Sequence, residues 1–150
     1  MIELGTSAPG FTLRDQNRQK VSLSDFLGQK VMIVFIPMAF TKTCQGELCQ
    51  IRDNLARLES FDATVLVITC DSLYSNRTWA EQQGFSFHIL SDFWPHGEVT
   101  RAYGCFDERF GVARRVTIVI DGGGMIREVI GSEGDEARDF DSYLAALAGV

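Results

Sequence analysis

Cys44 is the residue of this chain best placed to do chemistry. It follows the apolar run Val31-Met32-Ile33-Val34-Phe35-Ile36, then Pro37 and Thr41, and it opens a stretch with apolar residues at Leu48, Ile51, Leu55 and Leu58. The run predicts a strand buried on both faces and stopped by the proline. The spacing of three and four predicts a helix from about Thr43 to Ser60. A cysteine in the first turn of such a helix meets unpaired backbone N–H groups and the positive end of the helix dipole. Both favour the thiolate, which is the nucleophile. Thr41 supplies a hydroxyl that can donate to or accept from a bound oxygen, and Pro37 can shield the site from water. A cation would favour the thiolate further, and the best candidate is Arg115, which enters an otherwise apolar run. The alternative for Cys44 is a small buried hydrophobe, common for free cysteine.

The other cysteines are Cys49, Cys70 and Cys105. No pair has the C-x-x-C spacing, and only His88 and His96 could assist, so neither a metal site nor a bound cofactor is expected. A chain of 150 residues with 45% hydrophobic and 23% charged residues can build a full core without disulfide staples. A net charge of −6 and the lack of a Lys/Arg cluster argue against nucleic-acid or anionic-membrane partners. The start, Met1-Ile2-Glu3-Leu4-Gly5, has no signal-peptide pattern, and no apolar run approaches a membrane span. A cytoplasmic protein with reduced thiols is the expectation.

Cys44 depends on strands and helices along the whole chain for its place. Phe11–Arg14 and Val21–Leu23 read as short strands about a turn at 15–19, with one helical turn at 24–28. After the central strand and helix come a second buried strand, Thr64–Thr69, and a helix over Ser75–Gln83 with Ser75 as N-cap and Gly84 as terminator. A third strand covers Phe87–Leu90 and a short helix Glu98–Tyr103. Arg115–Ile120 and Ile126–Ile130 form a hairpin across Asp121-Gly122-Gly123-Gly124. Asp139–Leu147 is the last helix, with Tyr143, Leu144 and Leu147 on one face. The order predicts a single α/β domain over residues 1–150. It has a mixed central sheet with helices on both faces, a thioredoxin-like architecture.

Pro37-x-x-x-Thr41-x-x-Cys44-x-x-Glu47 resembles the peroxiredoxin active-site motif. The opening Gly5-x-x-Ala8-Pro9-x-Phe11-x-Leu13 and the position of Arg115 resemble that family too. The segments Phe40-Thr41-x-x-Cys44-Gln45-Gly46-Glu47-Leu48 and Leu90-Ser91-Asp92-Phe93-Trp94-Pro95-His96-Gly97 are similar to the AhpE-type peroxiredoxins of actinobacteria. The resemblance implies a peroxidase of hydrogen peroxide, organic hydroperoxides and peroxynitrite. Cys44 would be the peroxidatic cysteine, passing through a sulfenic acid. Thr41 and Arg115 would hold the peroxide. Pro37 would limit water, and Glu47 would either orient Arg115 or merely occupy a helix turn that favours acids. The resemblance also implies a homodimer packed through loops near the site. Phe40, Phe93, Trp94 and Phe106 are aromatic residues in expected loops, whereas Trp79, on a helix, is a core candidate.

Cys49 departs from the AhpE pattern, which relies on one catalytic cysteine. Its spacing from Cys44 resembles the PrxQ or bacterioferritin-comigratory branch, where a second cysteine in the same helix resolves the sulfenic acid. Two residues five apart on a helix have Cα atoms about 8.7 Å apart, beyond the roughly 7 Å limit of a disulfide. If the two cysteines bridge, the first turns of the helix must unwind. A reduced chain should therefore show an intact helix and separated thiols. The alternative for Cys49 is a half-buried surface cysteine. Cys70 and Cys105 read as packing residues. The AhpE likeness implies mycothiol and mycoredoxin as reductant, and the Cys49 likeness implies thioredoxin. A thioredoxin-like disulfide oxidoreductase and a peroxide sensor or chaperone are the competing readings. The missing C-x-x-C counts against the first of these.

Overall fold

In the computed structural model, residues 2–131 and 136–150 are described. Nine strands appear among them: β1 Thr12–Arg14, β2 Lys20–Ser22, β3 Lys30–Phe35, β4 Ala63–Thr69, β5 His88–Ser91, β6 Phe106–Asp107, β7 Val112–Ala113, β8 Val116–Ile120 and β9 Ile126–Gly131. The helices are α1 Lys42–Asp53, α2 Leu55–Glu59, α3 Leu73–Gln83, α4 Glu98–Ala102 and α5 Phe140–Ala148, with a 3-10 turn at Leu23–Phe26.

Seven strands form one mixed sheet in the order β2-β1-β5-β4-β3-β8-β9. The centre, β3–β4–β5, is parallel; at one side β8 pairs antiparallel with β3, and β9 pairs antiparallel with β8. β6 and β7 make a separate two-stranded ribbon that the sequence patterning missed, because two-residue strands have no readable period. The side chains of β3 alternate between two cores. Met32, Val34 and Ile36 pack with Leu48, Ile51, Trp79, Tyr143 and Leu147 on the face covered by α1, α3 and α5. Ile33 and Phe35 pack with Val99, Tyr103 and Cys105 on the face covered by α4 and the N-terminal segment. Burial on both faces is why β3 and β4 read as unbroken apolar runs.

Two expectations need correction. The predicted single helix over 43–60 is two helices, broken at Asn54 (φ −121°, ψ 18°), whose side-chain amide donates to the Gln50 carbonyl at 2.8 Å. Leu58 still reaches the core, but Leu55 is only half-buried. Asparagine competes with the helix through such local bonds, and the apolar spacing is blind to it. The second helix starts at Leu73 with Ser72 as N-cap. Ser75 is the residue whose N–H donates to the Ser72 hydroxyl at 3.2 Å. Gly84 does terminate this helix, at φ 71°, a left-handed conformation for which glycine is suited. Among the described residues no helix is long and apolar enough to cross a membrane.

Candidate active site

The central junction places Cys44 where β3 hands over to α1. Ile36 still belongs to the sheet, its N–H donating to the Ile68 carbonyl at 3.1 Å. The chain then turns through residues 37–41. Phe40 sits in the left-handed region at φ 68°, an uncommon conformation for a non-glycine residue. Asp71, just past β4, braces this turn by accepting the Ala39 N–H at 2.8 Å. Thr41 is the N-cap of α1, which puts Cys44 in the first helical turn, at the positive end of the dipole. Its side chain is fully buried.

Arg115 reaches Cys44 from one residue before β8, Nη1 donating to Sγ at 3.2 Å. The same nitrogen donates to Glu47 Oε1 at 2.7 Å. The register explains the meeting: Phe35 at the end of β3 pairs with Val116 at the start of β8, so Arg115 arrives beside the helix that follows β3. Glu47 lies one turn after Cys44 on α1 and is itself buried. Its carboxylate forms a buried ion pair with Arg115.

A second arginine, which residue spacing does not single out, completes the cluster. Arg138 lies just before α5 and clasps Glu47 in two places, Nε to Oε2 at 2.8 Å and Nη2 to Oε1 at 3.0 Å, while its backbone N–H donates to Oε2 at 2.9 Å. Nη1 donates to the Phe35 carbonyl at 2.8 Å and to the Thr117 hydroxyl at 3.2 Å. Burial pushes the Glu47 carboxyl up, but the hydrogen bonds and charge of Arg138, with Arg115 adding to them, hold it below the usual carboxylate range. A buried acid between two guanidiniums stays ionised and acts as a rigid bracket for both. Nothing near Arg138 in the chain pointed to this role, because acids Asp139 and Asp141 stand beside it and its partner is on α1.

One polar atom in the cluster is unspent. Among the described residues the buried Nε of Arg115 has no hydrogen-bond partner. Buried guanidinium donors are normally satisfied, so this atom is an open donor within the buried cluster.

Other predicted residues take different places. The Thr41 hydroxyl donates to the Met38 carbonyl at 2.8 Å and does not contact Cys44 here. Pro37 is half-buried at the rim, beside Met38 and Phe40, which are 46% and 47% exposed. The indole of buried Trp79 donates to Gln45 Oε1 at 3.1 Å, tying the first turns of α1 to α3. Phe106 is buried within β6, not in an exposed loop, because the short ribbon folds it under Arg101. His88 meets the Asp15 carboxylate at 3.0 Å, far along the sheet from Cys44, and exposed His96 braces the Gly111 carbonyl at 2.7 Å.

All four cysteines are free thiols, and α1 is intact between Cys44 and half-buried Cys49. Burial pushes the Cys70 thiol up to about 11 and the Cys105 thiol up to about 12. Both stay protonated at neutral pH and are poor nucleophiles, as their packing role requires. No group of metal-binding side chains occurs among the described residues.

Residues 4–129 match the AhpC/TSA family. The chain belongs to that family. It is 47% identical over 151 residues to alkyl hydroperoxide reductase E of Mycobacterium tuberculosis, covering 100% of this chain and 99% of that protein. Peroxiredoxin Bcp of Escherichia coli is 32% identical over 134 residues, 85% of each chain. Among solved structures, peroxidoxin BcpB of Mycobacterium tuberculosis superposes with a TM-score of 0.88 at 28% identity, covering 100% of this chain and 99% of that one. These matches bear out the expected thioredoxin-like fold of the peroxiredoxins. This member of the AhpC/TSA family thus carries, five residues after its buried Cys44, a second thiol on the same helix.

Proposed function

We propose that the chain is a thiol-dependent peroxidase in which Cys44 is the peroxidatic cysteine. The Cys44 thiolate attacks the terminal oxygen of a hydroperoxide. The O–O bond breaks, the leaving alkoxide or hydroxide takes up a proton, and Cys44 becomes a sulfenic acid. The carrying observation is the Arg115 guanidinium, which touches Cys44 Sγ at 3.2 Å while its own Nε is buried and unpartnered. One donor holds the attacking sulfur and another is free for the peroxide oxygen on which charge develops. Thr41 supplies a further hydroxyl once its bond to Met38 is exchanged for the substrate, and Pro37 keeps water from the mouth. Glu47 and Arg138 hold Arg115 in place. The apolar rim of Met38 and Phe40 suits organic hydroperoxides; hydrogen peroxide and peroxynitrite are the other substrates in this reading.

Cys49 is the resolving cysteine in this reading. The electrons return from thioredoxin if the Cys44–Cys49 disulfide is the oxidised form, and from mycothiol and mycoredoxin if an external thiol resolves Cys44. The cycle belongs to the cytoplasm, where thiols are kept reduced. Exposed Phe40, Phe93 and Trp94 supply an aromatic surface for a homodimer, which sedimentation at micromolar concentration measures directly.

Stopped-flow oxidation of wild type and Cys49→Ser, followed by reduction with each thiol system, tests the assignment. Cys49→Ser keeps the first oxidation fast and loses reduction by thioredoxin. A slow first phase in that variant, with Cys44 unmodified, contradicts it. A second expected result concerns Gly46, which lies between the two cysteines. It is exposed, and nothing lies within 4 Å of where a Cβ would stand. Alanine fits there and favours the helix by about 1 kcal/mol. Gly46→Ala therefore raises the urea midpoint and slows disulfide formation by up to about fivefold, since that step must unwind the helix. An unchanged rate in a measurably stabilised variant argues that unwinding does not precede bridging.

A further inference from the structure

Cys49 shares its stretch of α1 with a cation. Arg52 lies three residues further on, a spacing that brings side chains together on a helix. Both reach the same residue of α3: Cys49 Sγ lies 3.8 Å from Gln83 Oε1, and Arg52 Nη1 donates to the Gln83 backbone carbonyl at 2.6 Å. Gln83 is the last residue of α3, where backbone carbonyls lack intrahelical donors, so Arg52 closes a helix end that needs one. Its Nε donates to Asp53 Oδ1 at 2.8 Å. That hydrogen bond outweighs the opposing cost of burial and holds the guanidinium above its ordinary range, and the nearby Cys49 side chain adds to it. The first half of α1 is tied differently, through Gln45 to Trp79 and through Cys44 to Arg115. Gly46 separates the two halves.

We infer that Arg52 is a positioning residue for closure of the Cys44–Cys49 disulfide, keeping the second half of α1 docked on α3 and a cation beside the attacking sulfur. Cys49 then stays in place while the turn bearing Cys44 unwinds towards it. This rests on the reading of Cys49 as the resolving cysteine. In the step itself Cys49 gives its proton to solvent and its sulfur attacks the Cys44 sulfur. The S–O bond of the sulfenic acid breaks, and the hydroxide leaves with the electron pair and takes up a proton. One sulfenic acid and one thiol give one disulfide and one water. Arg52 lies on the Cys49 side of Gly46, so it remains beside the nucleophile while the other half moves.

The test compares full-length wild type, Arg52→Met and Arg52→Lys after one equivalent of peroxide, quenched at intervals and mapped by mass spectrometry. The appearance of Cys44 sulfenic acid is expected to be the same in all three. Disulfide formation is expected to be about fivefold slower in Arg52→Met, the upper range for one partly exposed charge, and largely recovered in Arg52→Lys. Raising the salt concentration slows the wild-type disulfide step and leaves the Arg52→Met step unchanged, because only the first depends on a screened charge. Equal disulfide rates in wild type and Arg52→Met, a lysine variant no faster than the methionine one, or equal salt sensitivity overturns the role of Arg52 while Cys49 remains the resolving cysteine. Absence of any Cys44–Cys49 disulfide in wild type overturns the reading of Cys49 itself, and the inference with it.

Discussion

Cys44→Ser is expected to reduce peroxide turnover to the uncatalysed background while leaving the fold in place. The substitution changes one atom at a fully buried position, and the serine hydroxyl can accept from Arg115 where the sulfur did. What it loses is the nucleophile. An alkyl hydroxyl does not ionise near neutral pH, even at a helix start beside a guanidinium, and no other thiol can substitute. Cys70 and Cys105 are buried and held protonated by that burial. Cys49 is half-buried and has no contact with Arg115. Peroxide consumption with dithiothreitol as reductant reads the loss, and the urea midpoint reads the fold. Full activity in a folded Cys44→Ser variant would overturn the peroxidase reading at its root.

Arg138→Met is expected to damage both stability and the first oxidation. Methionine fills much of the volume but strands Glu47, whose carboxylate keeps Arg115 and the Arg138 backbone N–H and loses both side-chain bonds. Removing one partner of a buried ion pair costs about 3–5 kcal/mol. The pH dependence has a definite sign. In the wild type the folded Glu47 carboxyl titrates below its ordinary 4.5, so the stabilisation is fully present above that pH and is lost as pH falls through the lower folded value. Without Arg138, burial dominates, and the acid limb of the stability profile moves to higher pH. Arg115, now the main cation for Glu47, is drawn away from Cys44. A loss of tenfold or more in the oxidation rate constant corresponds to about 1.4 kcal/mol at the transition state. Urea midpoints at pH 7 and across the acid range, with stopped-flow oxidation at pH 7, measure all three effects. A variant with wild-type midpoint and rate would show that Arg138 does not support the site.

These two variants probe parts of the site that were unequally legible in the sequence. Cys44, Thr41, Pro37 and Glu47 lie within one short segment, where residue type and spacing relative to a strand and a helix carry the chemistry. The strands β3 and β4 were legible because burial on both faces leaves an unbroken apolar run. Arg115 was legible for the opposite reason, as a charge at the edge of such a run. Arg138 was not, because its reason for being there lies ninety-one residues away, in a buried acid on another helix. The break at Asn54 and the cap at Ser72 escaped for a local reason. Side-chain bonds to nearby backbone override the apolar period by a residue or two.

The sequence by itself determined the fold class, the junction that carries Cys44, and the two cysteines on one helix. All of these follow from local spacing and periodicity. The tertiary structure alone decided which groups meet there. The antiparallel pairing of β8 with β3 sets Arg115 against Cys44. The approach to α5 supplies Arg138, and the packing of α1 on α3 brings Arg52 and Cys49 together at Gln83. The spacing of residues along a chain constrains near neighbours strongly and distant ones hardly at all. Contacts between a helix start, a late strand and a terminal helix therefore become visible only when the sheet register and the helix packing have placed them.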